Sequence, residues 1–435
     1  MRSRAVFGLA AAVIGLAASS GAAVAAEAAG PNGADTAWIL SATGLVLFMT
    51  LPGLALFYGG LVRARNVLSV FMHCFAICGV VTVLWALFGY SLAFGPGNSV
   101  IGDLSTAFLA NLAEVRAGTT IPEVVFALFQ MTFAIITPAL IIGAFAERVT
   151  FPFVVLFSAL WLVIVYVPVA HWMWGGGWLA AQNALDFAGG IVVHTTAGIS
   201  ALVTAMMIGR RKGFPNHPLP PHSPVLTMIG AGMLWFGWFG FNGGSALAAN
   251  AAAANAILAT QLAASTAAMM WIALEWLRSG KPTSIGIVTG AVAGLATVTP
   301  GAGYIGPMGA IVTGLAAGLV CYFATLAVKQ RWKIDDSLDV FAVHGVGGML
   351  GSILLAIFAA KDLGGTGTPA GSVVDQLIIQ TVAVVATALW SGVATYAIAR
   401  AIKVFTPLRV STEDEWEGLD LHAHGERGYE FTERA

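Results

Sequence analysis

Charge is scarce in this chain. Only 9% of its 435 residues are Asp, Glu, Lys or Arg, where a soluble domain carries about 25%. That leaves too little polar surface to cover a water-soluble globule of this length. The 20 basic and 21 acidic residues leave a formal charge of -1, so no broad basic face exists to hold nucleic acid. Cysteine is scarcer still. Cys74, Cys78 and Cys321 all lie in apolar stretches, which excludes a disulfide scaffold. A further absence is positional: no charged residue lies deep inside any long apolar run. Proton pumps and ion-coupled carriers usually keep an ionisable group at that depth. A Ser–His–Asp set, an HExxH motif and paired deep carboxylates are missing too, which argues against an intramembrane enzyme.

What the chain has is apolar length. Stretches long enough to span a bilayer occur at 37–62, 66–94, 121–146, 151–174, 186–209, 223–242, 255–277, 282–300, 303–328, 337–360 and 372–404. They run uninterrupted, unlike the alternating strands of an outer-membrane barrel. The expected fold is therefore an all-α polytopic membrane protein of eleven transmembrane helices. The 52 glycines and 13 tryptophans fit closely packed membrane helices with interfacial aromatics. Gly286, Gly290 and Gly294, Gly314 and Gly318, and Gly347 and Gly351 recur at every fourth position. That spacing lets backbones approach closely and marks packing, not a site.

Residues 1–26 follow the plan of a cleavable signal peptide. Arg2 and Arg4 precede an apolar run to Ala18, and small residues close the segment at Ala25 and Ala26. The membrane part then spans 27–404 and a polar cytoplasmic tail spans 405–435. Cleavage would start the mature chain outside. The odd-numbered connections then face the cytoplasm, and they hold Arg63, Arg65, Arg148, Arg210, Arg211, Lys212, Arg278, Lys281, Lys329, Arg331 and Lys333. The outer connections hold only Arg116 and Lys361. This asymmetry predicts N-terminus out and C-terminus in, in a cell (inner) membrane.

The deep titratable side chains are histidines. Asp186-Phe-Ala-Gly-Gly-Ile-Val-Val-His194 opens the fifth span, and Asp339-Val-Phe-Ala-Val-His344-Gly opens the tenth. Five spans apart, the two segments run oppositely, as an inverted five-helix repeat (spans 1–5 and 6–10, with a long eleventh helix added) would place them. At about 1.5 Å rise per residue, His194 lies roughly 12 Å and His344 roughly 8 Å from opposite ends of a core about 30 Å thick. Both fall in its middle third. Neutral imidazoles donate and accept hydrogen bonds. A pair of them in an apolar pore suits a small neutral polar molecule and offers little to an alkali cation. No carboxylate or thiolate joins them at metal-ligand spacing. His73 and His171 lack such an echo and read as near-interface residues. Asp186 and Asp339 read first as helix caps. Trp172, Trp174, Trp178, Trp235, Trp238, Phe239 and Phe241 suit either an interfacial belt or a cation–π receptor for an ammonium-like ion.

Five ordered segments resemble the signatures of the ammonium transporter (Amt/Mep/Rh) family, bacterial Amt type. They are Phe129-Gln-Met-Thr-Phe133, Ala170-His-Trp-Met-Trp174-Gly-Gly-Gly, the two His segments above, and Trp238-Phe-Gly-Phe241-Asn-Gly-Gly-Ser245. The resemblance implies an outer recruitment site for ammonium at Phe129, Trp174 and Ser245, helped by the Ala188 carbonyl. It implies a pore gate of Phe133 and Phe241, and a hydrogen-bonded twin-histidine pair of His194 and His344. Asp186, Trp238 and Thr299 take supporting and pore-lining roles. It further implies a homotrimer with one pore per subunit, no cofactor, no metal, and methylammonium as a substrate analogue. The proton released from ammonium either returns outside, giving neutral transport, or crosses through the His pair, giving electrogenic transport, and the resemblance favours the second. The run from Glu413 to Glu426 resembles the family's C-terminal motif. It implies a regulatory tail carrying Gly418, Leu419, Asp420, His424 and Gly425, docked on the cytoplasmic face and answering a PII-type protein. His422 and His424 are not read as metal ligands. An ammonium sensor is the rival class, although sensor relatives carry added signalling domains where this tail spans only 405–435. A broader neutral-gas channel is the rival substrate.

Overall fold

The computed structural model describes residues 30–217 and 219–429, and the segment read as a signal peptide lies outside them. Among the described residues the chain is helical, with one isolated backbone bridge between Val149 and Arg409. Ten helices are long and apolar enough to cross a membrane: α1 (Gly33–Leu61), α2 (Ala64–Phe94), α3 (Glu123–Phe145), α4 (Phe151–Ala181), α5 (Gly190–Ile208), α6 (Pro224–Gly244), α7 (Ala251–Ser279), α9 (Pro307–Arg331), α10 (Phe341–Phe358) and α11 (Val373–Phe405). Between α7 and α9 lies a shorter apolar helix, α8 (Ser284–Val298). Each of the eleven sits within a few residues of an apolar stretch read from the sequence.

Polar caps and prolines set the starts. Asn32, Thr150, Ser223, Asn250, Thr283 and Ser372 each accept a hydrogen bond from an amide one to three residues inside the helix they precede. Pro224 and Pro307 occupy first-turn positions, where the missing N–H costs nothing.

Glycines set the separations. A Cβ on Gly294 of α8 would lie 2.4 Å from the Ala263 carbonyl oxygen of α7, and one on Gly314 of α9 would meet the same oxygen at the same distance. Only Gly lets both helices close on α7.

The helix α11 displays the polarity of a membrane-facing element. Ile378, Val382, Val385, Leu389 and Val393 are exposed, while Gln376, Gln380, Thr387, Ser391 and Thr395 are fully buried on the opposite side. The Gln380 amide nitrogen donates to the Leu185 carbonyl at 2.8 Å and its oxygen accepts from the Leu185 N–H at 2.7 Å. An apolar outside and a hydrogen-bonded inside is costly in water and natural in lipid.

At one end of the bundle the connections after α1, α3 and α5 meet the tail, which folds into α12 (Thr412–Glu417) and α13 (Leu419–His424), and the connection after α9 joins them through Arg148 and Arg211. We call this the tail face. The Asp420 carboxylate accepts from the Leu68 and Ser69 amides at 3.1 and 2.8 Å, capping the start of α2. The Leu419 amide donates to Asn66 at 2.8 Å. Gly418 has φ +110, and a Cβ there would lie 2.6 Å from Arg65. Gly425 ends α13 in the left-handed region. Trp416 lies between Arg65 and Lys212, at 5.4 and 5.2 Å. His422 pairs with Asp414, and His424 rests edge-on against Phe151.

Candidate functional site: a histidine-waisted conduit

The site is built by two helix starts. The Asp186 carboxylate is buried and accepts four amides: Gly189 and Gly190 on Oδ1 at 2.9 and 2.7 Å, Ile191 and Val192 on Oδ2 at 2.8 and 3.0 Å. The chain turns through Gly189 at φ +117, which only glycine adopts cheaply. A wide i→i+5 turn, Gly190–Thr195, follows and carries His194.

The same device opens α10, with one correction to the sequence reading. Asp339 does not cap. Asp336 does, accepting the Val340 and Phe341 amides at 3.1 and 2.8 Å. A second wide turn, Phe341–Val346, carries His344. The matching register is therefore Asp186-x7-His194 and Asp336-x7-His344. Asp339 has φ +61, and its carboxylate pairs with Lys329 at 2.7 Å. The start of α5 comes within van der Waals reach of α10 because a Cβ on Gly198 would lie 2.1 Å from the Gly345 Cα.

These turns bring the two imidazoles together. His194 Nδ1 and His344 Nδ1 are 3.3 Å apart, and both rings are buried. One Nδ1 must donate and the other accept, so one neutral ring is protonated at Nδ1 and its partner at Nε2. Among buried polar atoms, His194 Nε2 has no protein partner. Trp238 lies beside His194 at 5.6 Å and 23°, held by its own bond to the Thr299 hydroxyl at 2.9 Å.

On the side of the pair away from the tail, Phe133 and Phe241 stack at 4.2 Å. Phe241 also faces His194 at 6.2 Å. Phe133 touches Phe129 at 5.0 Å and Trp174 at 6.0 Å, both edge to face. The Trp174 indole donates to the Asp186 carbonyl at 2.8 Å, so the capping turn also aims that ring. A Cβ on Gly189, next to Ala188, would lie 3.5 Å from the Trp174 ring; one on Gly244, next to Ser245, would lie 2.8 Å from Phe129. Phe129 and Trp174 thus pack on Phe133, with Ala188 and Ser245 adjoining the glycines that approach those two rings. The Ser245 hydroxyl donates to the Phe241 carbonyl at 2.8 Å, leaving its oxygen free to accept from a ligand.

Past Phe241 lies a void of about 10 Å³, lined by Val193, Leu234, Ile136 and both histidines. It holds about one water-sized molecule. His344, Phe57 and Val292 border both this void and a cavity of about 240 Å³ toward the tail face. The polar wall of that cavity includes Arg211, Lys329, Ser337 and Asp339.

The tail face is charged and paired. Glu147 bridges Arg63 and Arg211 at 2.8 and 2.7 Å, and Arg211 also grips Asp335 at 2.8 Å. Burial pushes the Glu147 carboxyl up, but the two guanidiniums outweigh it and leave it below its ordinary value. Burial likewise opposes Asp335, whose bonds to Arg211 hold it low. Asp336 has no cation of its own, and burial with the Asp339 charge lifts it to about 6.

Sequence reasoning missed Asp336 and the Glu147–Arg211–Asp335 chain. The first was findable from the eight-residue spacing to histidine. The second was not, because its members lie in three connections far apart in sequence. His171 and His73, the other buried histidines, sit away from the conduit: His171 has both nitrogens on the carbonyls of Ala93 and Asn98, and His73 stacks on Phe151. Among the described residues no group of three potential metal ligands occurs.

The model of the Ammonium Transporter Family matches residues 37–429. The chain is 44% identical to an ammonium transporter of Bacillus subtilis, over 91% of this chain and 98% of that one. It is 45% identical to ammonium transporter Amt1 of Archaeoglobus fulgidus, over 91% and 99%. Among solved structures it superposes on a Sensor Amt Protein with TM-score 0.85 at 30% identity, covering 90% of this chain and 98% of that one. It superposes on Saccharomyces cerevisiae Mep2 with TM-score 0.82 at 34% identity, covering 88% of each. The chain therefore belongs to the ammonium transporter family, and its bundle is that of a multi-pass membrane protein.

Proposed function

We propose that the chain recruits ammonium at Phe129, Trp174 and Ser245, strips its proton, and conducts ammonia past Phe133 and Phe241 and along the His194–His344 pair. The observation that carries this reading is the sequence of environments on one line: ring faces, two stacked phenyls, then paired neutral imidazoles in an apolar void. Ring quadrupoles and the Ser245 oxygen attract the cation. The void has no charged wall, so an ion entering it loses several kcal/mol of solvation even on lenient scales. Ammonia avoids most of that cost. K⁺ has no proton to leave behind, so selectivity follows from deprotonation, not size. The released proton crosses by the imidazole pair, which makes transport electrogenic.

In this reading α8 also crosses the bilayer, giving eleven spans with the tail face cytoplasmic and the N-terminus outside, in the cell membrane. The two Asp-x7-His turns mark an inverted repeat relating α1–α5 to α6–α10. Residues 1–26 are a cleaved signal peptide, the chain assembles as a trimer, and the packed tail (Gly418, Leu419, Asp420, His424, Gly425) answers a PII-type regulator.

The test is labelled methylammonium uptake and ammonium-evoked current in proteoliposomes. We expect uptake in the parent, K⁺ currents far below ammonium currents, and at least a tenfold fall in His194→Ala and Phe241→Ala. Flux untouched by both substitutions, or equal K⁺ and ammonium currents, removes the mechanism. A sensing role is the second reading. It draws on the likeness to the Sensor Amt Protein. Ammonium binding without flux in the parent would favour it.

A further inference from the structure

The inner cavity holds one acidic group, Asp339, that neither caps a helix nor joins the guanidinium chain. Asp186 and Asp336 cap helices, and Glu147 and Asp335 are tied to guanidiniums. Asp339 does neither. It lines the cavity whose far wall is His344. Its backbone is held at φ +61, an unfavourable conformation for a residue with a Cβ and one that Asp tolerates better than most. Its Oδ2 accepts from Lys329 Nζ at 2.7 Å. Its Oδ1 is shielded from solvent and has no hydrogen-bond partner. A shielded carboxylate oxygen without a donor is unfavourable, and a small N–H donor in the cavity would satisfy it.

Lys329 shows which donor fits. Its head is an alkylammonium, chemically a methylammonium tethered to α9. The pair is only partly shielded, with side chains 31% and 23% exposed, so it is weakly held. The neighbouring cation in the wall, Arg211, is spent on Glu147 and Asp335. The Tyr58 hydroxyl, also in the wall, donates to the Leu140 carbonyl at 3.0 Å.

We propose that Asp339, with Lys329 as its tethered occupant, forms a second binding site for an ammonium-type cation at the tail-face mouth of the conduit. Ammonium on that side competes with Lys329 for the carboxylate. The lysine returns when the ion leaves, which keeps product from lingering below His344. The identity of the cation rests on the proposed transport function; the site itself does not.

Two measurements on the full-length protein test this. The first is crystallographic. Thallium(I), an ammonium-sized cation, is soaked into Lys329→Met crystals. We expect an anomalous peak on Asp339 Oδ1 that disappears in Lys329→Met/Asp339→Asn. No peak in the single variant overturns the proposal. The second uses right-side-out membrane vesicles preloaded with ammonium and follows the initial rate of labelled methylammonium uptake. In Lys329→Met the preloaded concentration giving half-inhibition should fall about tenfold, the size of one charge-assisted hydrogen bond. Lys329→Arg should keep the parent value, Asp339→Asn should abolish the effect, and external half-saturation should not move. Identical inhibition in parent, Lys329→Met and Asp339→Asn overturns the proposal. A parent that takes up no methylammonium sinks the transport reading, and the anomalous map still decides the site.

Discussion

The two helix starts that make the conduit use one backbone device in opposite surroundings. At each, a carboxylate caps a wide turn and sets a histidine eight residues on. Beside Asp186 lies Trp174, from which an aromatic run leads on to Phe133 and Phe129, and the carboxylate spends four hydrogen bonds on its own turn. Around Asp336 the neighbours are Asp335, Arg211, Asp339 and Lys329, and the cap makes two. The capped turn positions the imidazole, and the surroundings differ between the two mouths. In the proposed reading the aromatic mouth holds a cation by ring faces that leave it free to lose a proton, and the charged mouth meets it with a carboxylate.

The largest expected effect separates the two caps. Asp186→Ala strands four buried amides at roughly 1–3 kcal/mol each, so little folded protein should survive detergent extraction. Asp336→Ala strands two, and the protein should fold with a lowered melting midpoint. Size-exclusion profiles and thermal melts of both variants check this. A variant at Asp336 that is worse than the one at Asp186 would show that the charged neighbours, not the amide count, set the cost.

A smaller effect sharpens the contrast between mouths. Trp174→Ala removes one ring face and frees the Asp186 carbonyl without touching the tail face. One cation–π contact is worth about 0.5–2 kcal/mol, so the external half-saturation for methylammonium should rise roughly two- to thirtyfold. Inhibition by preloaded ammonium should stay at the parent value. Movement of both would mean that the mouths are coupled through the His pair and not independent.

Much of this was legible in the sequence, for reasons that can be named. In lipid every backbone group must be bonded within its own helix, so apolar length alone located eleven helices to within a few residues. The histidines stood out because a polar ring is conspicuous in an apolar run. The waist geometry was reachable from helical rise, which put both rings in the middle third. Asp339 misled because it is the acidic residue nearest the second histidine, and a cap is judged by which amides it reaches, not by proximity in sequence. The partners of Glu147, Arg211 and Asp335 were illegible, since pairing across three connections depends on how the helices pack. The hydroxyl direction of Ser245 and the bond from Trp174 to the Asp186 carbonyl are side-chain choices that no spacing encodes.

The smallest expected effect tests whether the charged side alone answers to pH near neutrality. His424 packs on Phe151, which stacks on His73 of α2, and its Nε2 is shielded with no partner. Burial lowers its pKa, and the nearby Asp420 and Glu426 charges only partly oppose this. The docked tail therefore favours neutral His424, and the undocked tail binds the proton more tightly. Docking is at full strength above the ordinary histidine value of about 6.5 and weakens as pH falls below it, by at most about tenfold per pH unit. Asp420 acts with the opposite sign, since burial raises it despite its bonds to Ser69 and Leu68, so its proton favours docking. Its ordinary value of 3.8 puts that contribution mainly at lower pH. Hydrogen exchange of the Leu419 amide, which is bonded to Asn66, should lose protection between pH 7.5 and 5.5 once intrinsic exchange rates are divided out. His424→Phe keeps a ring against Phe151 and cannot titrate, so its profile should be flat across that range. Protection that grows on acidification in the parent would assign control of the tail to Asp420 instead, and the charged mouth would then tighten where this account says it loosens.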